Sequence, residues 1–193
     1  MNFLTHVLIS GTLYRKLSKK MALDRKAFRY GNIKPDLSPQ CLRNPHLLEN
    51  YLFLVQSDAH RLRCQNRSSE GYSVRAYSED LGVICHYICD FFCYVHQDRV
   101  IYHKLLRHFL YELRLHLAFC GLLARNQLGP VKSTGAESRS IAAMVLELRK
   151  KYRAKKNTPR RDLDFAILAS LRACEMIDQR IGVSSETAEA ANS

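Results

Sequence analysis

The sequence has no tryptophan, and it sets only 18 Asp and Glu against 30 Lys and Arg. No stretch approaches the ~20 uncharged apolar residues that cross a bilayer, which excludes a spanning helix. The first twenty residues, MNFLTHVLISGTLYRKLSKK, place the apolar stretch before the basic cluster. A secretory leader has the opposite polarity and ends in small residues, so a cytoplasmic protein is expected. Seven cysteines form no disulfide framework, because their number is odd and their spacing irregular. Reduced thiols of that kind serve as small buried hydrophobes. Strand-like alternation and internal repeats are also missing, which leaves an all-α chain.

What is present is a 193-residue chain, 47 % apolar, enough to bury one core. Apolar residues at helical spacing over 2–22 (Phe3, Leu4, Val7, Leu8, Leu13, Leu17, Met21) predict a first amphipathic helix. Residues 24–30 form a short helix stopping at Gly31, and the proline-containing segment 31–39 is irregular. Further helices are predicted from Asn44-Pro45 through 55 or 63, from 78 to 94 with Ser78 as N-cap, and over 98–125, 137–153 and 162–181. Loops are expected at 66–71 and 127–135, and 155–161 reads as a basic linker. Residues 1–181 thus read as one compact multi-helix bundle. Residues 182–193 have nothing to bury and are expected to be disordered.

The chemistry concentrates in residues 86–112, HYICDFFCYVHQDRVIYHKLLRHFLYE, which hold His86, Asp90, His96, His108 and Glu112. His86/Asp90 and His108/Glu112 are i, i+4 pairs, so each pair leaves one face of a helix together. Imidazole nitrogen and carboxylate oxygen are the donors zinc takes in hydrolytic sites, where one position stays open for water. An ionised Asp90 among Tyr87, Ile88, Phe91 and Phe92 is costly to bury without a cation. The bland alternative, a hydrogen-bonded core imidazole, is the expected role of His60, His103 and His116. Asp98 and Glu79 read as caps or solvated acids. Cys85, Cys89 and Cys93 repeat on one helix face, and such a stripe packs a core more readily than it surrounds a metal.

The arrangement His86-x3-Asp90, His96, His108-x3-Glu112 resembles the zinc-dependent phospholipase C family, whose superfamily includes fungal single-strand-specific nucleases. Thr5-His6, Pro35-Asp36 and His46 match the family's upstream ligands more loosely, so the resemblance covers about residues 3–120. It implies a compact α-helical bundle with a metal cluster of two or three zinc ions in a cleft. Asp36, His46, His86 and Asp90 would hold one, His96, His108 and Glu112 a second, and Asp90 with His6 a third. It further implies that metal-activated water cleaves the glycerol-side phosphoester bond of a phospholipid. Asp36 is then the candidate to orient or deprotonate that water, with Glu112 as the alternative. Secreted members of the family begin with a tryptophan whose amino group and carbonyl bind the third zinc. Here Met1 stands close to His6, so either Met1 substitutes or the protein runs on two metals.

The net charge of +12 is compatible with a solvated basic surface, with nucleic acid, or with peripheral contact with an anionic membrane. The leading expectation is therefore a zinc-dependent phosphodiester hydrolase acting on phospholipid. A nuclease or nucleotidase on the same fold is the first alternative. A non-catalytic, metal-stabilised binding protein is the second.

Overall fold

A computed structural model of the chain describes residues 1–38, 45–67, 72–97, 99–128 and 138–178. Among these residues it contains eight α-helices and no strand: α1 Phe3–Leu17, α2 Arg25–Gly31, α3 Leu48–Arg67, α4 Val74–Phe91, α5 Arg99–Tyr102, α6 Leu105–Ala124, α7 Ile141–Arg153 and α8 Pro159–Ile177. The all-α expectation holds. Most helix starts carry a side-chain cap that meets an otherwise unpaired first-turn amide. Asn2, Asp24, Ser73, Ser140 and Thr158 accept from the amides of Thr5, Ala27, Ala76, Ala143 and Arg161. Pro159 occupies the first turn of α8, where its missing N–H costs nothing.

Several sequence expectations need correction. Helix α3 starts at Leu48, after the expected Asn44-Pro45 opening, and runs to Arg67, past 55 or 63 and into the loop expected at 66–71. Ser78 is not an N-cap: α4 starts at Val74, with Ser73 as its cap. The Ser78 hydroxyl instead donates to Val74 O at 2.7 Å and accepts from the Asp24 amide at 2.8 Å, tying α4 to the start of α2. The helix expected over 98–125 is broken into α5 and α6 around His103-Lys104. The last helix begins at Pro159, inside the stretch read as a linker, because Thr158-Pro159 is itself a helix-start signal. Asp98, residues 68–71, 129–137 and the tail 182–193 lie outside the described residues.

The core is built around α4, which packs against α2, α3 and α8, while α7 and α6 pack on α8 from other sides. Cys85 and Cys89 of the cysteine stripe face that core as expected of small hydrophobes, whereas Cys93 lies beyond the end of α4, beside His96 and Glu112. Cys85 lies 3.5 Å from Cys174 and Cys89 lies 3.3 Å from the Ser170 hydroxyl, both contacts to α8. The closest helix approach is between α2 and α4. A Cβ on Gly31 would lie 2.0 Å from Glu79 O, and one on Gly82 would lie 2.4 Å from Phe28 O. Only glycine at both positions permits this crossing, and the crossing sets the end of α2 beside the buried polar centre of the protein.

Candidate metal centre

His86 and Asp90 occupy successive turns of α4, and both are fully buried. The Nδ1 of His86 lies 2.8 Å from the main-chain carbonyl oxygen of Asn32, the residue that caps the end of α2. A carbonyl can only accept, so Nδ1 carries the hydrogen and Nε2 turns a lone pair inward. That Nε2 sits 3.0 Å from His46 Nδ1, 3.4 Å from Asp90 Oδ2 and 3.6 Å from Asp36 Oδ1. Burial, with His6 and His46 adding to it against Asp90, lowers the His86 pKa well below the ordinary imidazole value, so the ring stays neutral. Its lone pair therefore faces carboxylate oxygens, an arrangement of acceptors that a cation resolves.

Asp90 divides its two oxygens between two groups of donors. Oδ1 lies 3.2 Å from His6 Nε2 and contacts the Met1 α-amine. Oδ2 lies 3.0 Å from His46 Nδ1 and 3.7 Å from His96 Nδ1. Burial pushes this carboxyl up, but the Met1 amine, His96, His6 and the His46 hydrogen bond outweigh it. Asp90 stays well below the usual carboxylate range. His6 reaches the site from the first turns of α1, and its ring stacks on His86 with centroids 4.0 Å apart.

A second group forms where the 3-10 turn Tyr94–His96 meets α6. The Nε2 atoms of His96 and His108 both lie 3.1 Å from Glu112 Oε1. The break between α5 and α6 serves this geometry, since Tyr102 O accepts from His108 Nδ1 at 3.1 Å and orients the ring. In an uninterrupted helix that carbonyl would take the amide one turn on. The Met1 α-amine completes the group, 3.1 Å from His96 Nε2 and 3.3 Å from Glu112 Oε1. Against its own burial, Asp90, Cys93 and Glu112 raise its pKa well above the ordinary value, so it stands as an ammonium between two carboxylates. Glu112 is held below its ordinary range: burial would raise it, but that ammonium and the two imidazoles prevail.

All eight residues singled out in the sequence converge on this centre, although they come from α1, α4, α6, the 3-10 turns Lys34–Leu37 and Tyr94–His96, and the segment before α3. Three sets of potential ligands, His6/Asp36/His86, His46/His86/Asp90 and Cys93/His96/Glu112, each bring three donor atoms within 4.8 Å of one another. The donor set suits zinc: neutral imidazole, carboxylate and one thiol, with a cation already standing between Asp90 and Glu112 in the form of the ammonium. Burial pushes the Cys93 thiol well up, so without a metal it stays protonated. The site is closed on most sides. Its partly exposed side chains are Asp36, His108 and Glu112, at 18 %, 15 % and 13 %.

The imidazoles read as bland stay away from the centre. His60 contacts Cys64 at 3.6 Å on the exposed side of α3, and His103 is exposed. His116 Nδ1 lies 3.3 Å from the Thr5 hydroxyl, one turn beyond Glu112. Sequence reading missed Asn32 and Tyr102, which act through main-chain carbonyls that carry no side-chain signal. It also missed Tyr51, whose ring stacks on Tyr87 with centroids 4.5 Å apart and meets the His46 edge.

A sequence model of the family described as zinc dependent phospholipase C matches residues 3–166. The match runs well past residue 120, through α7 and into α8, where the sequence carries no recognisable motif. Comparison with curated proteins and with solved structures found no match.

Proposed function

We propose that this chain, which belongs to the zinc-dependent phospholipase C family, hydrolyses a phosphodiester of a phospholipid on the glycerol side of the phosphate. The observation that carries the reading is the division of donors around Asp90, with one oxygen toward His6 and the other toward His46 and His86. A shared carboxylate of this kind is what adjacent cations require, because its charge offsets both. Asp36, His46, His86 and Asp90 would hold one zinc, and His96, His108 and Glu112 a second. Asp90 with His6 would reach a third. Zinc bound there supplies Lewis acidity and a water of lowered pKa.

The protein's own residues supply the rest. Asp36 and Glu112 stand at the partly open side, where a phosphate can enter. Burial, with Asp90 adding to it, raises the Asp36 carboxyl, whereas Glu112 is held down. Asp36 is the candidate acceptor for a proton leaving water, with Glu112 as the alternative. The carbonyls of Asn32 and Tyr102 hold His86 and His108 in one tautomer, keeping both Nε2 atoms directed at the centre.

Purified protein assayed on short-chain phosphatidylcholine should release phosphocholine, and both Asp36→Asn and Glu112→Gln should remove turnover while the fold persists. Zinc-loaded wild type that turns over neither this substrate nor single-stranded DNA would leave a structural metal site and sink the proposal. A second reading, a nuclease, is favoured by the +12 charge and by the Tyr51–Tyr87 stack beside His46. Preference for the DNA, with binding that weakens steeply in salt, would establish it instead.

A further inference from the structure

Helix α6 contributes His108 and Glu112 to the centre and turns Leu115 and Phe119 into the core. Its remaining side is apolar and stands in solvent. Leu105 is 75 % exposed, Leu106 72 %, Phe109 63 %, Leu110 53 % and Leu117 61 %. A row of large side chains spanning three turns is not the scattered exposure ordinary in a monomer. The start of α1 extends it, because Asn2 reaches Glu112 O at 3.3 Å and Thr5 reaches His116, which brings Phe3 and Leu4 alongside. Leu4 is 57 % exposed.

The charge around this face has one sign. Between residues 99 and 124 the bases are Arg99, Lys104, Arg107 and Arg114, and the only acid is Glu112, which points into the centre. Lys104, Arg107 and Arg114 are exposed. We propose that this face of α6 docks on an anionic phospholipid bilayer, its leucines and phenylalanines entering the acyl boundary and its basic residues meeting lipid phosphates. One leaflet offers both chemistries together, which is how an in-plane amphipathic helix binds. A second copy of the chain fits poorly, since pairing α6 with α6 would set Arg107 and Arg114 against their own kind. No described helix is long and apolar enough to cross the membrane, so the contact is peripheral.

Docking also orients the centre. Phe109 follows His108, and Leu113 follows Glu112, so the open side of the site and the apolar face are neighbouring sides of one helix. What the docked site does to a lipid rests on the phosphodiesterase reading above; the docking itself does not.

The test measures co-sedimentation with vesicles mixing phosphatidylcholine and phosphatidylserine, alongside turnover of short-chain phosphatidylcholine. Wild type should bind the mixed vesicles, bind pure phosphatidylcholine vesicles more weakly, and detach as salt rises. The double variant Leu106→Glu/Phe109→Glu should bind mixed vesicles at least roughly tenfold more weakly, because each such side chain contributes a factor of that order. Its short-chain turnover should be unchanged. The uncharged pair Leu106→Ser/Phe109→Ser should behave alike, with zinc content and circular dichroism of both confirming the fold. Wild type that ignores mixed vesicles, variants that bind them as wild type does, or a wild-type dimer that these variants dissociate without any vesicle binding would overturn docking. Vesicle binding without turnover of either lipid form would uphold docking and overturn the phospholipid-hydrolase reading. Short-chain turnover without vesicle binding would do the reverse.

Discussion

His86 Nδ1 and the carbonyl oxygen of Asn32 are 2.8 Å apart, across the contact between α4 and the end of α2. The orientation of a fully buried imidazole of the centre thus depends on how closely two helices approach. That approach depends in turn on Gly31 and Gly82, where an added Cβ would fall 2.0 Å and 2.4 Å from opposing main-chain oxygens. Gly31→Ala or Gly82→Ala should therefore cost about 2 kcal/mol or more in a denaturant titration, the scale of overpacking, and should weaken zinc binding as Asn32 shifts. Gly11→Ala is the control. Nothing lies within 4 Å of the Cβ it adds in mid-α1, so it should be neutral or stabilise by up to ~1 kcal/mol through helix propensity. Equal losses at Gly11 and Gly31 would show that the crossing is not the cause.

Asp90 is the side chain with no substitute. Its two oxygens serve different donor groups, so Asp90→Asn keeps the shape and removes the charge that offsets neighbouring cations. Metal analysis should find more than one equivalent missing, and phosphodiester hydrolysis should fall to background. Asp164→Asn, on the exposed side of α8 and paired with Arg160, should change neither. Full zinc content in Asp90→Asn would mean that the carboxylate is not shared.

Chelation should lower thermal stability, because the metals bind only the folded arrangement of donors drawn from distant segments. At free zinc about a thousandfold above the dissociation constant the linkage is worth ~4 kcal/mol. In a domain of this size that is on the order of 10 °C of melting temperature. Scanning calorimetry with and without chelator, followed by added zinc, checks the shift and its reversal. In the chelated protein Asp90 and Glu112 lie below their ordinary values, so their stabilisation is present above about pH 4 and is lost on further acidification.

Asp162 has the opposite sign. It is fully buried between α8, α7 and α6 and accepts from the Tyr94 amide, Tyr111 and Tyr152, each at 2.8 Å. Burial nevertheless pushes its pKa up from 3.8 to about 6. The folded state then holds a proton that the unfolded state has released, so its contribution is full below about pH 4 and is lost as pH rises through 6. Urea titrations should show wild type losing on the order of 2–3 kcal/mol relative to Asp162→Asn between those limits. A difference that stays flat with pH would mean that Asp162 is ionised throughout.

Much of the centre was legible because its information is local. His86/Asp90 and His108/Glu112 announce themselves by one helical turn of spacing, and apolar periodicity alone determines an all-α chain. Two of the looser upstream matches, Asp36 and His46, rest on irregular segments where no period constrains the side chain. Asp36 reaches the centre because Lys34–Leu37 is wound into a 3-10 turn beside α2, and His46 reaches it from the segment before α3. The start of α4 was misplaced because Ser73 and Ser78 both satisfy the residue preference of a cap, and the choice between them lies in which backbone amide each hydroxyl meets.

By itself the sequence determined the helices, the ligand types and the two i, i+4 pairs, since these follow from steric preference and a 3.6-residue repeat. Only the tertiary structure decided that His6 stacks on His86, that Asn32 and Tyr102 lend carbonyls to two imidazoles, and that one side of α6 is left in solvent. Those relations join segments far apart in the chain. They depend on how near two backbones can come and on which faces find a partner, neither of which any local spacing records.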